Sequence, residues 1–227
     1  MATTPANIVP TEFIYEPPLE PYLSVIYQDD DILVLDKPSG LLSVPGKDPA
    51  LADCLERRAR EAFPEARTIH RLDKDTSGVV VMGLNRVAHS NISMQFEKRQ
   101  TEKFYEARVW GRMEADSGHI DLPLATDWER RPRQRVDFER GRPAQTDWEV
   151  LEREPHATRV KLMPVTGRTH QLRVHMLSLG HPILGDAFYS EGAAFAMADR
   201  LQLHAEMLAF AHPADGRKLQ FVIPCPF

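Results

Sequence analysis

The clustering and alternation of apolar positions predict a chain rich in strands, with a few helices between them. Two apolar runs, 23–27 and 32–35, flank the acidic triplet 29–31, which predicts two strands joined by a turn. The nearly unbroken apolar run at 79–84 predicts a buried strand. Further strands are predicted at 104–110, 146–151, 159–163 and 219–223.

Three segments have the apolar spacing of helices. They are 51–63, 87–100 and 169–179. In the first, Leu51, Leu55 and Ala59 fall on one face and the Arg and Glu residues on the other, with Asp48 as the predicted N-cap. Thr166-Gly167 is the predicted start signal before the third segment, and Gly180 is its predicted stop.

The order of these elements predicts an α+β fold with a mixed, mostly antiparallel sheet, because strands come in groups and do not alternate strictly with helices. The proline-rich residues 1–21 predict an extended N-terminal tail, and residues 22–227 a single domain. The Pro- and Arg-containing segment 116–142 predicts short strands at best.

Composition places the chain among folded proteins, because 42% of residues are hydrophobic and 27% are charged. No apolar run approaches the roughly 20 residues that a membrane span needs, and residues 1–10 lack the layout of a signal peptide. The two cysteines, Cys54 and Cys225, lie far apart, which favours a reducing compartment. We therefore expect a cytoplasmic protein.

The net charge of −5 argues at first against a nucleic-acid partner. However, residues 129–142 contain six arginines against three acidic residues. A basic strip on an acidic body can bind a phosphate backbone. Composition alone equally allows a solvated, Arg-rich loop.

The most reactive set of side chains lies at 70–78, directly before the buried strand. It combines His70, Arg71, two carboxylates at Asp73 and Asp75, and a Ser-Gly turn. A charged loop at the end of a buried strand can hold a reactive group rigidly. From these residues alone, Asp73 could equally be a turn residue that bonds its own backbone.

The string His70-Arg71-Leu72-Asp73-x-x-Thr76-Ser77-Gly78 resembles the active-site signature of the RluA-type pseudouridine synthases. Four further segments resemble that family's motifs in the expected order. They are Asp36-Lys37-Pro38-Ser39-Gly40-Leu41-Leu42-Ser43-Val44-Pro45-Gly46, Lys103-Phe104-Tyr105, Thr166-Gly167-Arg168-Thr169-His170-Gln171-Leu172-Arg173-Val174-His175 and Gly180-His181-Pro182-Ile183-Leu184-Gly185-Asp186. The likeness runs from about residue 22 to the C-terminus.

The resemblance implies the pseudouridine synthase catalytic fold over 22–227, with two lobes and a central active-site cleft. It implies an isomerase that flips a uridine out of structured RNA, breaks its glycosidic bond with an Asp, and rejoins the base through C5. Length and domain content resemble the members that act on both a large-subunit rRNA hairpin and a tRNA anticodon stem-loop. It implies no cofactor, no metal, no membrane and no required protein partner.

The resemblance assigns the catalytic roles to Asp73, Tyr105 and Arg173. Asp73 would attack the sugar or the base, or remove the C2′ proton, and all three routes stay open. Arg173 would keep this carboxylate ionised in a closed pocket. Tyr105 would stack on the flipped uracil and relay the C5 proton. The alternatives are an ordinary surface arginine and a half-buried strand tyrosine.

Substrate binding is expected from four residues. Arg71 would fill the gap left by the flipped base or hold the rearranged RNA loop, unless it makes a salt bridge within its own loop. His70 would shape the catalytic loop through a hydrogen bond. Arg133 and Arg135 belong to the basic strip and would contact RNA phosphates.

Two competing functions remain open at this point. One is a non-catalytic RNA-binding or RNA-folding protein on the same scaffold, which the basic strip alone would support. The other is a metal-dependent RNA hydrolase. Against a metal, His170 and His175 are five apart, about 140° around a helix, and do not share a face. The chain also lacks a His-Glu-x-x-His motif.

Overall fold

A computed structural model describes residues 15–227, which form a mixed α+β structure around one large sheet. This part of the chain contains twelve strands. They are β1 (Ser24–Gln28), β2 (Ile32–Lys37), β3 (Arg67–Thr68), β4 (Ser77–Gly83), β5 (Glu102–Trp110), β6 (Ser117–Asp121), β7 (Leu124–Thr126), β8 (Gln134–Val136), β9 (Gln145–Arg153), β10 (Ala157–Pro164), β11 (Leu203–Ala211) and β12 (Lys218–Val222).

Four α-helices lie between the strands in the same part of the chain. They are α1 (Leu55–Ala62), α2 (Arg86–Glu97), α3 (Gln171–Ser178) and α4 (Gly192–Ala196), with one 3-10 turn at Pro49–Leu51. Each predicted helix is therefore present, although all three are shorter than the sequence pattern suggested.

The large sheet has the strand order β1-β2-β4-β11-β5-β10-β9-β6, with β3 paired to β4 and β12 paired to β11. Among the described strands, the single parallel pair is β4 with β11, which are in register over His204↔Ser77 and Ala205↔Gly78. The strands β7 and β8 form a separate hairpin. The prediction of an α+β fold with a mostly antiparallel sheet is confirmed.

Gly78 makes the close approach of β4 and β11 possible. Its φ is +116°, and a Cβ atom at this position would lie 2.2 Å from the carbonyl oxygen of Ala205. A side chain here would push the two strands apart. Gly78 therefore fixes the backbone immediately after the loop that carries Asp73.

Two large hydrophobic clusters fill the interior, one around β2 and β4 and the other around β5, β10 and α3. Tyr105, on β5, packs against both clusters. A side chain at the junction of two cores is held from both sides, so Tyr105 has little freedom to move.

Two details of the helix predictions are wrong. Asp48 caps the 3-10 turn, whereas α1 begins later, at Leu55, with the Cys54 sulfur accepting a hydrogen bond from the Arg57 backbone. Arg58 does not face solvent. Its side chain is fully buried and bonds Asp53 through Nε at 2.8 Å and Nη2 at 2.6 Å.

Residues 1–14 of the predicted N-terminal tail lie outside the described residues. Residues 15–22 contain neither helix nor strand, and they are tied to the body at Tyr15 and Pro18. The Tyr15 hydroxyl bonds the backbone of Leu42 and of Asp53, and Arg58 donates to the Pro18 carbonyl. None of the helices formed by residues 15–227 combines the length and hydrophobicity that crossing a membrane requires.

Candidate active site

A cleft of about 790 Å³ opens where the two hydrophobic clusters meet. Its walls come from the loop before β4, from β5, and from the segment that connects β10 to α3. These elements bring Asp73, Tyr105 and Arg173 into one cavity. The three residues predicted to be catalytic are thus neighbours in space, although Asp73 and Arg173 are 100 positions apart.

Arg173 connects Asp73 to a second carboxylate. Its Nη1 donates to Asp73 Oδ2 at 3.1 Å, while Nε and Nη2 donate to Asp186 at 2.7 and 2.6 Å. Burial alone would lower the pKa of Arg173, but the hydrogen bonds and charges of Asp186 and then Asp73 raise it. The guanidinium therefore stays charged and lies against the Asp73 carboxylate. It is a buried anchor and not a surface arginine.

Asp186 is the site residue that sequence reasoning missed. Its side chain is fully buried, and Oδ1 also accepts hydrogen bonds from the backbone of Phe188 at 2.9 Å and Tyr189 at 3.2 Å. The only available signal was its place at the end of the motif 180–186. No local pattern pairs it with Arg173, because the partners are joined by tertiary structure.

Tyr105 lies on β5 and lines the cleft. Burial raises the pKa of its phenol, and the charge of Asp73 raises it further. The hydroxyl is therefore protonated at neutral pH and can donate a hydrogen bond. The ring is held by both hydrophobic clusters, which gives a fixed surface for a planar base.

His70 accepts a hydrogen bond from the Val81 backbone N–H through Nε2 at 3.1 Å, and its ring stacks on Phe96 at a centroid distance of 4.6 Å. Burial, with a smaller effect of the Lys103 charge, lowers its pKa to about 3. The imidazole is therefore neutral and fixed to the strand that follows the loop. This geometry suits the loop-shaping contact expected of His70.

The backbone around Asp73 is held by two further side chains. The fully buried Lys37 ammonium donates to the carbonyl oxygens of Pro38, Leu41 and Lys74 at 2.9, 2.6 and 2.8 Å. Ser43 donates to the Leu72 carbonyl at 2.6 Å. These contacts bracket position 73 on both sides, so the carboxylate is carried on a fixed backbone.

The predicted RNA-contacting arginines occupy different environments. Arg71 is exposed on the cleft wall and makes no hydrogen bond or ion pair within residues 15–227, so the alternative of a salt bridge within its loop is wrong. Arg133 lies over the ring of Tyr189 at 5.3 Å. Arg135 is more exposed and pairs with Asp137 at 3.0 Å. We call residues 124–142, which contain β7 and β8, the arginine arm.

His170 and His175 do not meet at a common point. His175 bonds Thr146 and the Leu122 carbonyl, whereas His170 lies beside Asp73 with Nε2 at 3.8 Å from Oδ2. α3 begins after His170, two residues later than predicted, because His170 has the left-handed φ of +54°.

Comparison with known proteins identifies the class of this site. A family model described as RNA pseudouridylate synthase matches residues 31–178. Two solved human structures have the same fold. RNA Pseudouridylate Synthase Domain Containing 1 gives a TM-score of 0.75 at 30% identity over 96% of this chain and 87% of the other. Domain Containing 4 gives 0.70 at 26% identity over 89% and 88%. The chain belongs to the RNA pseudouridylate synthase family and is an isomerase.

Relatives of similar length are more alike still. A protein from Escherichia coli (strain K12) is 52% identical over 94% of this chain and 98% of its own length. One from Haemophilus influenzae is 53% identical over 91% and 95%. Both are named dual-specificity RNA pseudouridine synthase RluA. The predicted family is confirmed, and an enzyme is favoured over the non-catalytic alternative and the metal-dependent hydrolase.

Proposed function

We propose that this enzyme converts specific uridines to pseudouridine in two kinds of structured RNA, a large-subunit rRNA hairpin and a tRNA anticodon stem-loop, with Asp73 as the essential carboxylate. One observation carries the proposal of Asp73. Its Oδ2 lies 3.1 Å from a charged, buried guanidinium inside the cleft, while 27% of its side chain remains exposed to that cleft. It is thus both paired with a cation and accessible to a nucleoside.

The reaction is an isomerisation, because the proton that C5 loses is balanced by one that N1 gains from solvent. The bond from C1′ to N1 breaks, the uracil turns, and a new bond forms from C1′ to C5, after which the C5 proton leaves. An ionised carboxylate beside the sugar can attack the sugar or the base, or remove the C2′ proton. Each route requires Asp73 to carry a negative charge, which the neighbouring Arg173 guanidinium favours.

Tyr105 provides the surface on which the flipped uracil stacks. Its ring is fixed between the two cores, and stacking of a base on an aromatic ring contributes about 1–3 kcal/mol. Its protonated hydroxyl lies in the same cleft and serves as the relay for the C5 proton. A closed pocket with a rigid floor also retains the detached uracil while it turns.

Extrusion of the target nucleotide is assigned to Arg71. Its guanidinium is exposed at the cleft wall and has no protein partner among the described residues, so it can stack on bases or reach a phosphate. Arg133 and Arg135 on the arginine arm contact the RNA backbone, and His70 holds the loop. Recognition of loop shape would allow one pocket to serve both RNAs.

In this proposal residues 22–227 form the catalytic domain, and residues 1–21 precede it. The enzyme works in the cytoplasm, where its RNA substrates are, and needs no protein partner. The family resemblance supports these assignments, as do the two unpaired cysteines.

The test is release of tritium from RNA that carries 5-tritiated uridine, made separately as an rRNA hairpin and as an anticodon stem-loop. Wild type should release label from both RNAs, and Asp73→Asn from neither. Asp75→Asn, two residues away in the same loop, is the matched control and should keep most of the activity. Equal release by wild type and Asp73→Asn would contradict the role of Asp73. Release from one RNA only would contradict the dual substrate.

A further inference from the structure

Tyr189 lies in the turn after Asp186, is buried, and belongs to none of the sites assigned above. Its hydroxyl has two polar neighbours. The backbone N–H of Gln134, on the arginine arm, donates to it at 2.7 Å, and Nδ1 of His170 lies 2.7 Å away. The hydroxyl therefore connects the arm to the segment that begins α3.

The direction of these hydrogen bonds follows from their donors. A backbone N–H can only donate, so the Tyr189 oxygen accepts from Gln134. Among the described residues, His170 Nδ1 is the one acceptor within hydrogen-bond distance of the Tyr189 hydroxyl, and the Asp73 carboxylate on the other side of the ring favours the ring hydrogen on Nε2. The geometry therefore favours donation from Tyr189 to Nδ1. Burial raises the pKa of Tyr189 to about 12, and burial lowers the pKa of His170. The phenol is therefore protonated and the imidazole neutral. In that tautomer the remaining ring hydrogen is on Nε2, which faces Asp73 Oδ2 at 3.8 Å.

The backbone of His170 supports a positioning role. It has a φ of +54°, a conformation that residues other than glycine adopt at a cost in free energy. It occupies the N-cap position of α3, yet its side chain makes no capping hydrogen bond. The ring is directed instead to Tyr189, at a 5.5 Å edge contact, and towards Asp73.

We propose that Tyr189 is a positioning residue for catalysis, because its hydroxyl fixes His170 in the tautomer that presents an N–H to the catalytic carboxylate. Arg173 places a positive charge 3.1 Å from the Asp73 carboxylate, and His170 directs an N–H dipole at the same carboxylate oxygen from 3.8 Å. This inference rests on the proposed role of Asp73. The Gln134 contact holds the Tyr189 oxygen in place from the side of the arm.

Several charged groups surround His170 and also influence its pKa. These are Asp73 and Asp75 in the catalytic loop, Arg173 on α3, and Asp186 in the turn before Tyr189. Because the carboxylates and the guanidinium remain when the Tyr189 hydroxyl is removed, a change in pH dependence after that removal reports on His170.

The test is Tyr189→Phe, which keeps the ring that contacts Arg173 at 5.1 Å and Arg133 at 5.3 Å and deletes only the hydroxyl. We expect the single-turnover rate at saturating RNA to fall about tenfold, with RNA affinity unchanged within about twofold. The acid limb of the pH–rate profile should move to higher pH, because an imidazole that no longer accepts a hydrogen bond at Nδ1 takes up a proton more readily. A purely structural role would not move that limb.

Two further variants keep the inference falsifiable. Tyr27→Phe removes a hydroxyl that bonds Asp29 at 2.8 Å, away from the cleft, and should leave rate and pH profile unchanged. His170→Gln should lower the rate, and adding Tyr189→Phe to it should cause no further loss, because the hydroxyl acts through His170. Additive losses in the double variant, or a wild-type rate and pH profile in Tyr189→Phe, would overturn the inference. Full activity of Asp73→Asn would instead overturn the proposed function.

Discussion

Arg173 donates through two nitrogens to Asp186 and through a third to Asp73, so the guanidinium that faces the proposed catalytic carboxylate is already fixed by a second carboxylate. The two bonds to Asp186 are 2.7 and 2.6 Å long, and the bond to Asp73 is 3.1 Å. Bidentate pairing fixes the plane of a guanidinium as well as its position. The Arg173 guanidinium can therefore stay in place while the charge on Asp73 changes during catalysis.

Asp186→Asn should lower both stability and activity. Loss of one partner of a buried ion pair costs about 3–5 kcal/mol, and the effect here should be at the lower end because Arg173 keeps its bond to Asp73. With its plane no longer fixed, Arg173 should support a tritium-release rate at least about tenfold lower. Urea unfolding and the release assay measure the two effects separately.

Asp53→Asn is the matched control for that variant. Asp53 accepts two bonds of 2.8 and 2.6 Å from the buried Arg58, almost the geometry of Asp186 with Arg173. Asp53 lies just before α1 and Arg58 on it, and both are outside the cleft lining. The Asp53→Asn variant should be less stable than wild type and keep full activity. If Asp186→Asn also keeps the wild-type rate while folded, anchoring of Arg173 does not matter to catalysis.

Substitutions at Tyr105 should separate its two proposed roles. Tyr105→Phe keeps the stacking surface and loses the hydroxyl, so RNA affinity should be retained while the single-turnover rate falls. Tyr105→Leu loses the ring as well and should weaken binding of the flipped base by about 1–3 kcal/mol. Filter binding and single-turnover kinetics measure these quantities. A wild-type rate in Tyr105→Phe would exclude the hydroxyl as proton relay.

Arginines on the arm should affect the salt dependence of RNA binding. Each of Arg133→Gln and Arg135→Gln should reduce the slope of log affinity against log salt by about 0.7–0.9, the loss expected for one phosphate contact. Arg57→Gln is a suitable control, because Arg57 is an exposed arginine on α1 paired with Glu61. Equal slopes in all three variants and wild type would place the RNA elsewhere.

His70 should make the free energy of unfolding depend on pH. In the unfolded chain its imidazole binds a proton below about pH 6.5, whereas the folded protein lowers its pKa to about 3, chiefly through burial. Unfolding therefore takes up a proton between these values, so stability is full above pH 6.5 and falls as the pH falls.

The variant His70→Phe isolates this effect. At pH 7.5 it should be less stable than wild type, because the Val81 N–H loses its acceptor. As the pH is lowered to 4, the difference in unfolding free energy should shrink, since only wild type loses the contribution of neutral His70. Urea titrations at several pH values measure it. If the difference in unfolding free energy between wild type and His70→Phe stays constant from pH 7.5 to 4, the lowered pKa of His70 is contradicted.

The sequence predicted the parts of the fold that local patterns specify. The buried strand β4, the turn at 29–31 and the short strands in 116–142 all follow from apolar runs and turn residues. Helix α1 shows where apolar periodicity fails to predict burial. Periodicity assigned every Arg to the solvent face, yet Arg58 is buried because Asp53 and two backbone carbonyls satisfy its guanidinium.

In the candidate site, too, local motifs predicted some residues and tertiary contacts determine the others. Motif resemblance selected Asp73, Tyr105 and Arg173, which line one cleft, whereas it assigned no role to Asp186 and Tyr189. Their importance depends on contacts between segments that are distant in the chain or cross a turn. A linear pattern carries no information on which buried acceptor receives a given guanidinium or which hydroxyl orients a given imidazole.

Asp73 precedes β4, Arg173 follows β10, and these strands lie on opposite sides of β11, which joins β4 over two residue pairs only. The proposed catalytic pair, Asp73 and Arg173, therefore spans the junction between the two hydrophobic clusters. If the chain were nicked between positions 73 and 173, neither fragment could retain a trace of turnover on its own. Activity would return only when the pieces reassociated, which makes turnover a direct reporter of complete assembly.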